Sequence, residues 1–378
     1  MERLTRLRVS GFRSLRDLEL QPTALTVLIG ANGSGKSNLV EFFNMLSFTL
    51  SGSLQLYVSR RGGGSSILHY GPKKTPVVSA ELVFEDPKGT SEYGCSLAFA
   101  SPDRLIFTDE HVKFQRAGES KPFSKTLNVG QTETDLLALA EAKGNATAST
   151  VARVFLRRLR GLQVYHFHDT SENAHIRTNQ DVDRHRALMS NGGNLAAFLH
   201  MLQKAYPAHF DRIVSTVRLV VPYLKEFDLT PDRLNEQRIQ LRWRDRNPDY
   251  EFGPHQLSDG SLRAIALVTA LLQPEELLPS LIVIDEPELG LHPSAVGAVG
   301  TLIRSASAKR QVLVATQSPR LVSEFTPEDI VVTEREEDSS GYGVTTLRRL
   351  TKEDLGAWLE DYNLGALYEM NVTGGGPQ

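Results

Sequence analysis

The stretch "LTVLIGANGSGKS" limits what this chain can fold into more than any other. A short apolar run, Leu25–Ile29, passes through a glycine-rich loop straight into a segment with Leu39, Phe42, Phe43 and Leu46 at helical spacing. The loop, Gly30–Ser37, satisfies G-x-x-x-x-G-K-[ST] and stands where the motif works, after a strand and opening a helix. Glycines there let backbone N–H groups close on phosphate oxygens without a Cβ in the way. The helix N-terminus adds its partial positive charge. Gly30, Asn32, Gly33, Ser34 and Gly35 are therefore expected to cradle a triphosphate. Lys36 would sit between the β- and γ-phosphates, and the Ser37 hydroxyl would ligate Mg²⁺. A glycine-rich turn with a surface lysine is the plainer alternative, and it leaves the strand–loop–helix order unexplained.

So short and apolar a strand fits a parallel sheet covered by helices, and the rest of the chain supplies one. After "RIQLRWRD" come a helix beyond Gly260, the strand "LIVID", a helix from Pro293, and the strands "VLVAT" and "DIVVT". At the start Leu7 and Val9 alternate with Arg6 and Arg8 as in a half-exposed strand. "RRGGGSSILHYG" reads as a flexible break and the closing "NVTGGGPQ" as a frayed end. "VVSAELVFED", "YGCSLAFA" and "RLIFTDE" are short, close and expected to be antiparallel. From about Thr132 the periodicity turns helical. The expected fold is α/β, a wound and mostly parallel sheet with an antiparallel β subdomain. Residues 1–130 and 256–378 would form this core, split by a mainly helical insertion at 131–255.

A phosphate loop alone hydrolyses nothing. In "LIVIDEPELGLHP" four apolar residues end in Asp285 and Glu286, at the strand end where open α/β sheets bind ligands. Asp285 is expected to hold the metal, and Glu286 to orient or deprotonate the attacking water. Gln317 ends the strand "VLVAT" in the same way. Near neutral pH it has no proton to give, so it either positions a water by hydrogen bonding or merely starts the next helix. "HQLSDGSLRAIAL" is a polar loop running into an apolar helix, with Ser258 suited to cap it. Gly260 in the first turn is the oddity, because glycine weakens a helix.

Together these segments resemble the ATP-binding-cassette type of P-loop ATPase, and within it the RecF/OLD/SMC-like branch with its small stand-alone bacterial predicted ATPases of the AAA family. "LRVSGFRSLRDLEL" resembles the branch's opening strand and turn, and "LIGANGSGKSNLVEFF" its Walker A with the extra Asn38. "LSDGSLRAIALVTALL" is similar to its signature helix, "LIVIDEPELGLHP" to its Walker B and D-loop, and "VLVATQSPRLV" to its switch strand. The resemblance implies Mg²⁺-dependent ATP binding and hydrolysis in a head-to-tail homodimer. Ser258 and Gly260 would cap the γ-phosphate held by the other subunit, and Arg13 would lie near the nucleotide. Gln317 stands where most relatives have histidine, which implies slow or partner-stimulated turnover. The Q-loop has no firm position, with His168 and Asp169 as guesses.

The remaining features narrow the class. One cysteine, Cys95, excludes an internal disulfide, and no apolar run reaches the length of a membrane span, so a cytoplasmic protein without a membrane partner is expected. The net charge of −3 leaves DNA binding to a local patch. Arg157–Arg160, Arg177, Arg184 and Arg186 are candidates, diluted by Asp169, Glu172, Asp181 and Asp183, and a solvated helix face suits them better. His166, His168 and His175 match no zinc spacing. With no long arm and no second acidic cluster after the cassette, the effector is expected on a separate polypeptide, such as a nuclease, in DNA repair or anti-phage defence. A RecF-like DNA-binding repair protein is the alternative. A transporter motor subunit suits the N-terminus and signature less well.

Overall fold

The computed structural model describes residues 2–142, 146–246 and 250–376. Among them the chain opens with β1 (Arg3–Phe12), β2 (Leu15–Leu20), β3 (Leu25–Ile29), α1 (Lys36–Leu50) and α2 (Leu54–Arg60). Next come β4 (Val77–Asp86), β5 (Gly89–Ala100), β6 (Arg104–Arg116), β7 (Phe123–Thr126), α3 (Asp135–Glu141), α4 (Ala146–Arg160) and β8 (Leu162–Tyr165). The middle holds β9 (Gln180–Asp181), α5 (Leu195–Ala205), α6 (Pro207–Val220), β10 (Glu226–Asp228), β11 (Arg238–Ile239) and β12 (Arg242–Arg244). The last third runs α7 (Asp259–Leu272), β13 (Leu281–Asp285), α8 (Pro293–Ser307), β14 (Gln311–Ala315), α9 (Pro319–Val322), β15 (Ile330–Glu337) and β16 (Gly343–Arg349). Short helices α10 (Lys352–Leu355), α11 (Trp358–Asp361) and α12 (Leu364–Glu369) follow.

Two six-stranded sheets organise the molecule. The central one runs β16-β15-β3-β14-β13-β8, parallel except for β16, so β3 sits between strands from the far end of the chain. All five residues of β3 are buried, as its unbroken apolar run requires. The other sheet, β2-β1-β4-β5-β6-β7, is antiparallel, and Leu7 and Val9 face its core while Arg8 faces out. Leu39, Phe42, Phe43 and Leu46 of α1 pack between the two sheets. On the opposite face of the central sheet α5, α6, α7 and α8 share one cluster with Val27 and Ile29. No described helix is long and apolar enough to cross a membrane.

Three expectations change. The stretch 131–165 does not belong to an insertion: β8 pairs in parallel with β13, and Phe155 and Leu159 of α4 fill the core beneath α1. "LQVY" is too short to announce itself as a strand. The chain from His166 to Gln256 does lie outside the sheet, but its apolar residues join the main core, and it carries short strands as well as helices. The break "RRGGGSSILHYG" is ordered, with Ile67, Leu68 and His69 buried and Leu68 bridged to Phe12. The tail, where described, is seated too. Thr373 is buried, Gly375 donates its N–H to Glu334 Oε1 at 3.0 Å, and a Cβ on Gly375 would lie 3.2 Å from Gly30 Cα. Pro377 and Gln378 lie outside the described residues.

Candidate active site

The phosphate loop is shaped by backbone that only glycine adopts easily. Gly33 (φ 81°) and Gly35 (φ 115°) are left-handed, and a Cβ on Gly35 would lie 2.0 Å from the Thr345 hydroxyl. Behind the loop runs a hydroxyl brace. Asn38 Nδ2 donates to Ser14 Oγ at 2.6 Å, Ser14 Oγ lies 2.7 Å from Thr345 Oγ1, and Thr345 Oγ1 donates to Ser34 O at 3.0 Å. Asn38 thus braces the loop from behind with its side chain. Arg13 sits in the β1–β2 turn with φ 48°, its N–H bonded to Ile67 O at 2.8 Å and its guanidinium over the Phe12 ring. Asn32, Gly33 and Ser37 stay exposed.

The loop fits a phosphate ligand. Lys36 is buried, yet its ammonium donates to Gly30 O and Ala31 O, carbonyls of the loop itself. Burial lowers its pKa against the pull of Glu286, Asp285 and Glu288. Ser34 Oγ is buried without a partner, and a Cβ at Gly33 would meet nothing. A cation fits as well. Burial pushes the Asp285 carboxyl up to about 6, with Glu286 and Glu288 adding repulsion that His168 and Lys36 offset in part. Glu288 is likewise raised by burial. The Asp285 carboxylate and the exposed Ser37 hydroxyl are the groups that would hold Mg²⁺, while among the described residues no three His, Cys, Asp or Glu side chains gather into a metal site.

Glu286 sits at φ 46°, a left-handed conformation that costs a non-glycine residue about 1–3 kcal/mol and recurs at active sites. Its N–H bonds to Ala315 O at 2.8 Å, and its Oε1 accepts from Gln317 Nε2 at 2.8 Å. The structure therefore joins the two residues that the sequence places at the tips of neighbouring strands. Sequence reasoning missed Glu288, two residues on. Its Oε1 accepts from Thr316 Oγ1 at 2.6 Å and from Gln317 N at 3.3 Å, and its buried Oε2 has no partner. The repeat of acid at 286 and 288 was the available signal.

Across the sheet Ser258 caps α7, accepting from Ser261 N at 3.1 Å, while Leu262, Ile265, Val268 and Leu271 are buried beneath it. Gly260 answers to its own chain: a Cβ there would lie 2.0 Å from Gly290 O of the D-loop. Arg177 is no DNA contact. Only 5% exposed, it donates to Thr170 O (2.7 Å), Leu257 O (3.1 Å), Pro254 O and Asp259 Oδ1 (2.7 Å). Asp259 is correspondingly acidified. Arg263 reaches Phe167 O, His168 O and Leu289 O. His168 Nε2 lies 3.1 Å from Asp285 O, so the loop after β8 touches the Walker B strand where a Q-loop was guessed. Arg158 is also buried, paired with Asp86 and Glu2. It is neither a solvated face nor free for phosphate.

A mononucleotide fold needs only β3, α1 and β13. Here an antiparallel sheet also flanks α1, and the capped helix α7 packs across the central sheet. The class this defines is a P-loop ATPase head. Solved SMC heads share its fold. The Smc head bound to the C-winged helix domain of ScpA aligns with TM-score 0.58 at 14% identity, over 93% of this chain and 99% of that one. The Smc head with an extended coiled coil bound to the C-terminal domain of ScpA, derived from Pyrococcus furiosus, gives 0.55 and 14% over 96% and 99%. The chain belongs to the family described as AAA domain, putative AbiEii toxin, Type IV TA system, whose model matches residues 25–323. No curated protein matches the sequence.

Proposed function

We propose that this P-loop ATPase binds and hydrolyses Mg·ATP at composite sites of a head-to-tail homodimer and so acts as a nucleotide switch for a separate effector. Gly30–Ser37 and Lys36 hold the triphosphate, with Asn38 fixing the loop from behind and Arg13 beside it. Ser37 and Asp285 hold Mg²⁺, which supplies positive charge to the phosphate oxygens. Glu286, steadied by Gln317, orients and deprotonates water, and Glu288 holds the switch strand in register. Ser258 and Gly260 close over the nucleotide of the other protomer.

The observation that carries this reading is the position of Ser258. It stands exposed at the head of a 14-residue helix, and its side chain is hydrogen-bonded to Ser261 of that same helix, not to the phosphate loop. A helix N-terminus open in this way suits an anion brought from outside. The family's description as a putative toxin of a type IV system fits a regulated effector pathway, such as phage defence, better than transport. Arg158 and Arg177 are committed to internal ion pairs, so they lend the DNA-binding alternative no support.

Turnover tests this. If two chains build each site, ATP hydrolysed per protomer rises with protein concentration before levelling off, and Lys36→Ala and Glu286→Gln abolish it. Specific activity that stays constant on dilution to nanomolar protein means that one chain holds the whole site.

A further inference from the structure

The hydroxyl that the composite-site reading aims at a partner's phosphate does not stand alone. Ser258 Oγ lies 2.8 Å from Ser261 Oγ, which lies 2.7 Å from Tyr223 Oη. Tyr223 follows α6, its ring 5.4 Å from that of Trp243. Trp243 is 4% exposed, stacks on Phe252 at 4.4 Å and donates Nε1–H to Gly253 O at 3.2 Å. One face of the phenol rests on the Trp243 ring while Tyr223 stays 43% exposed, and the exposed row of hydroxyls ends on the first turn of α7.

Such a row has two proton directions, because each hydroxyl has one hydrogen to give. In the outward direction Tyr223 donates to Ser261 and Ser261 to Ser258. Ser258 Oγ then accepts from both the Ser261 hydroxyl and the Ser261 N–H, and its own proton is free for an external oxygen. In the inward direction Ser258 donates to Ser261, and only lone pairs face outward, which a phosphate oxygen repels. A phenol is a better hydrogen-bond donor than an aliphatic hydroxyl, and this favours the outward direction.

We propose that Tyr223 is a positioning residue for the ATP switch: through Ser261 it turns the Ser258 proton toward the γ-phosphate bound by the other protomer. This rests on the composite-site reading above. It adds to that reading a reason for the segment after α6 to touch the signature helix, since an ordering change in this region reaches the phosphate through two hydrogen bonds.

The test uses Glu286→Gln as parent, so that ATP persists, and measures the dimer dissociation constant in Mg·ATP by sedimentation. Tyr223→Phe keeps the ring on Trp243 and removes the donor. It should weaken the ATP-bound dimer by at least a hundredfold, because a hydrogen bond to a charged group is worth about tenfold or more and both composite sites lose it, while a fluorescent ATP analogue binds the monomeric Ser258→Arg form equally with or without it. Adding Ser261→Ala to Tyr223→Phe removes the inward acceptor and should restore dimerisation toward the parent, which a purely structural role does not predict. A Tyr223→Phe variant that dimerises like the parent, or a double variant weaker than Tyr223→Phe alone, overturns the relay. A parent that stays monomeric in Mg·ATP overturns the composite site and the relay with it.

Discussion

Gly260 shows how one residue can satisfy two demands. Its place in the signature led to an expectation of close approach to an anion, and the structure adds a nearer reason, the Gly290 carbonyl 2.0 Å from where a Cβ would sit. The two readings separate on mutation. Gly260→Ala must push the D-loop backbone aside, and overpacking of this kind costs about 1–3 kcal/mol. Its urea midpoint should fall even without nucleotide, whereas an unchanged midpoint would leave phosphate approach as the sole reason for the glycine. Arg158 makes the same point about charge. In sequence it belongs to a basic run, but in the fold it is buried against Asp86 at 2.6 Å and Glu2 at 3.1 Å. Asp86 and Glu2 keep 13% and 29% of their side chains exposed, so removing the arginine leaves partly solvated carboxylates and costs about 1–3 kcal/mol. Arg158→Met should therefore destabilise by that order in chemical unfolding and leave the affinity for ATP unaltered. Loss of nucleic-acid binding with full stability would instead place Arg158 on an interaction surface.

Elements with strong local rules were legible in advance. β3, α1, β13 and β14 each carry an apolar run or period followed by residues that end it, and their positions follow from that alone. A strand before "HFHDTSENAH" could be suspected, but the four residues of β8 have no period that places them, and the position beside β13 comes from tertiary pairing. The coupling between elements was hidden as well. Arg177 and Arg263 tie the loop after β8 to the signature loop and D-loop through carbonyl oxygens, and backbone acceptors leave no mark in a sequence. Arg177→Lys keeps the charge but cannot fork to four acceptors. We expect it to retain ATP binding in the phosphate loop while losing most turnover, read as a fall in kcat with little change in the affinity for an ATP analogue. Equal losses in both would mean that the clamp serves stability alone.

For the molecule as a whole, the α/β rhythm that stops and resumes is what suggests a head and an inserted segment, and the chain from His166 to Gln256 lies outside the central sheet. That segment's first boundary was not legible, since α3 and α4 are helices of the head and helicity alone cannot assign them. Nor was the seating of Asn371–Gly376, where glycines suggested fraying but Gly375 packs beside Gly30. β3 from the first part of the chain and β13–β15 from the last meet in one sheet, and the strand ends there bring together a glycine-rich loop, an acidic tip and Gln317, while Ser258 stands apart at the head of α7. The mass in solution of Glu286→Gln, with and without Mg·ATP and beside its Ser258→Arg double variant, tests that arrangement most directly. The account predicts that Mg·ATP doubles the mass of the first and leaves the second monomeric. One mass under every condition, or ATP-driven doubling that survives the arginine, would contradict it.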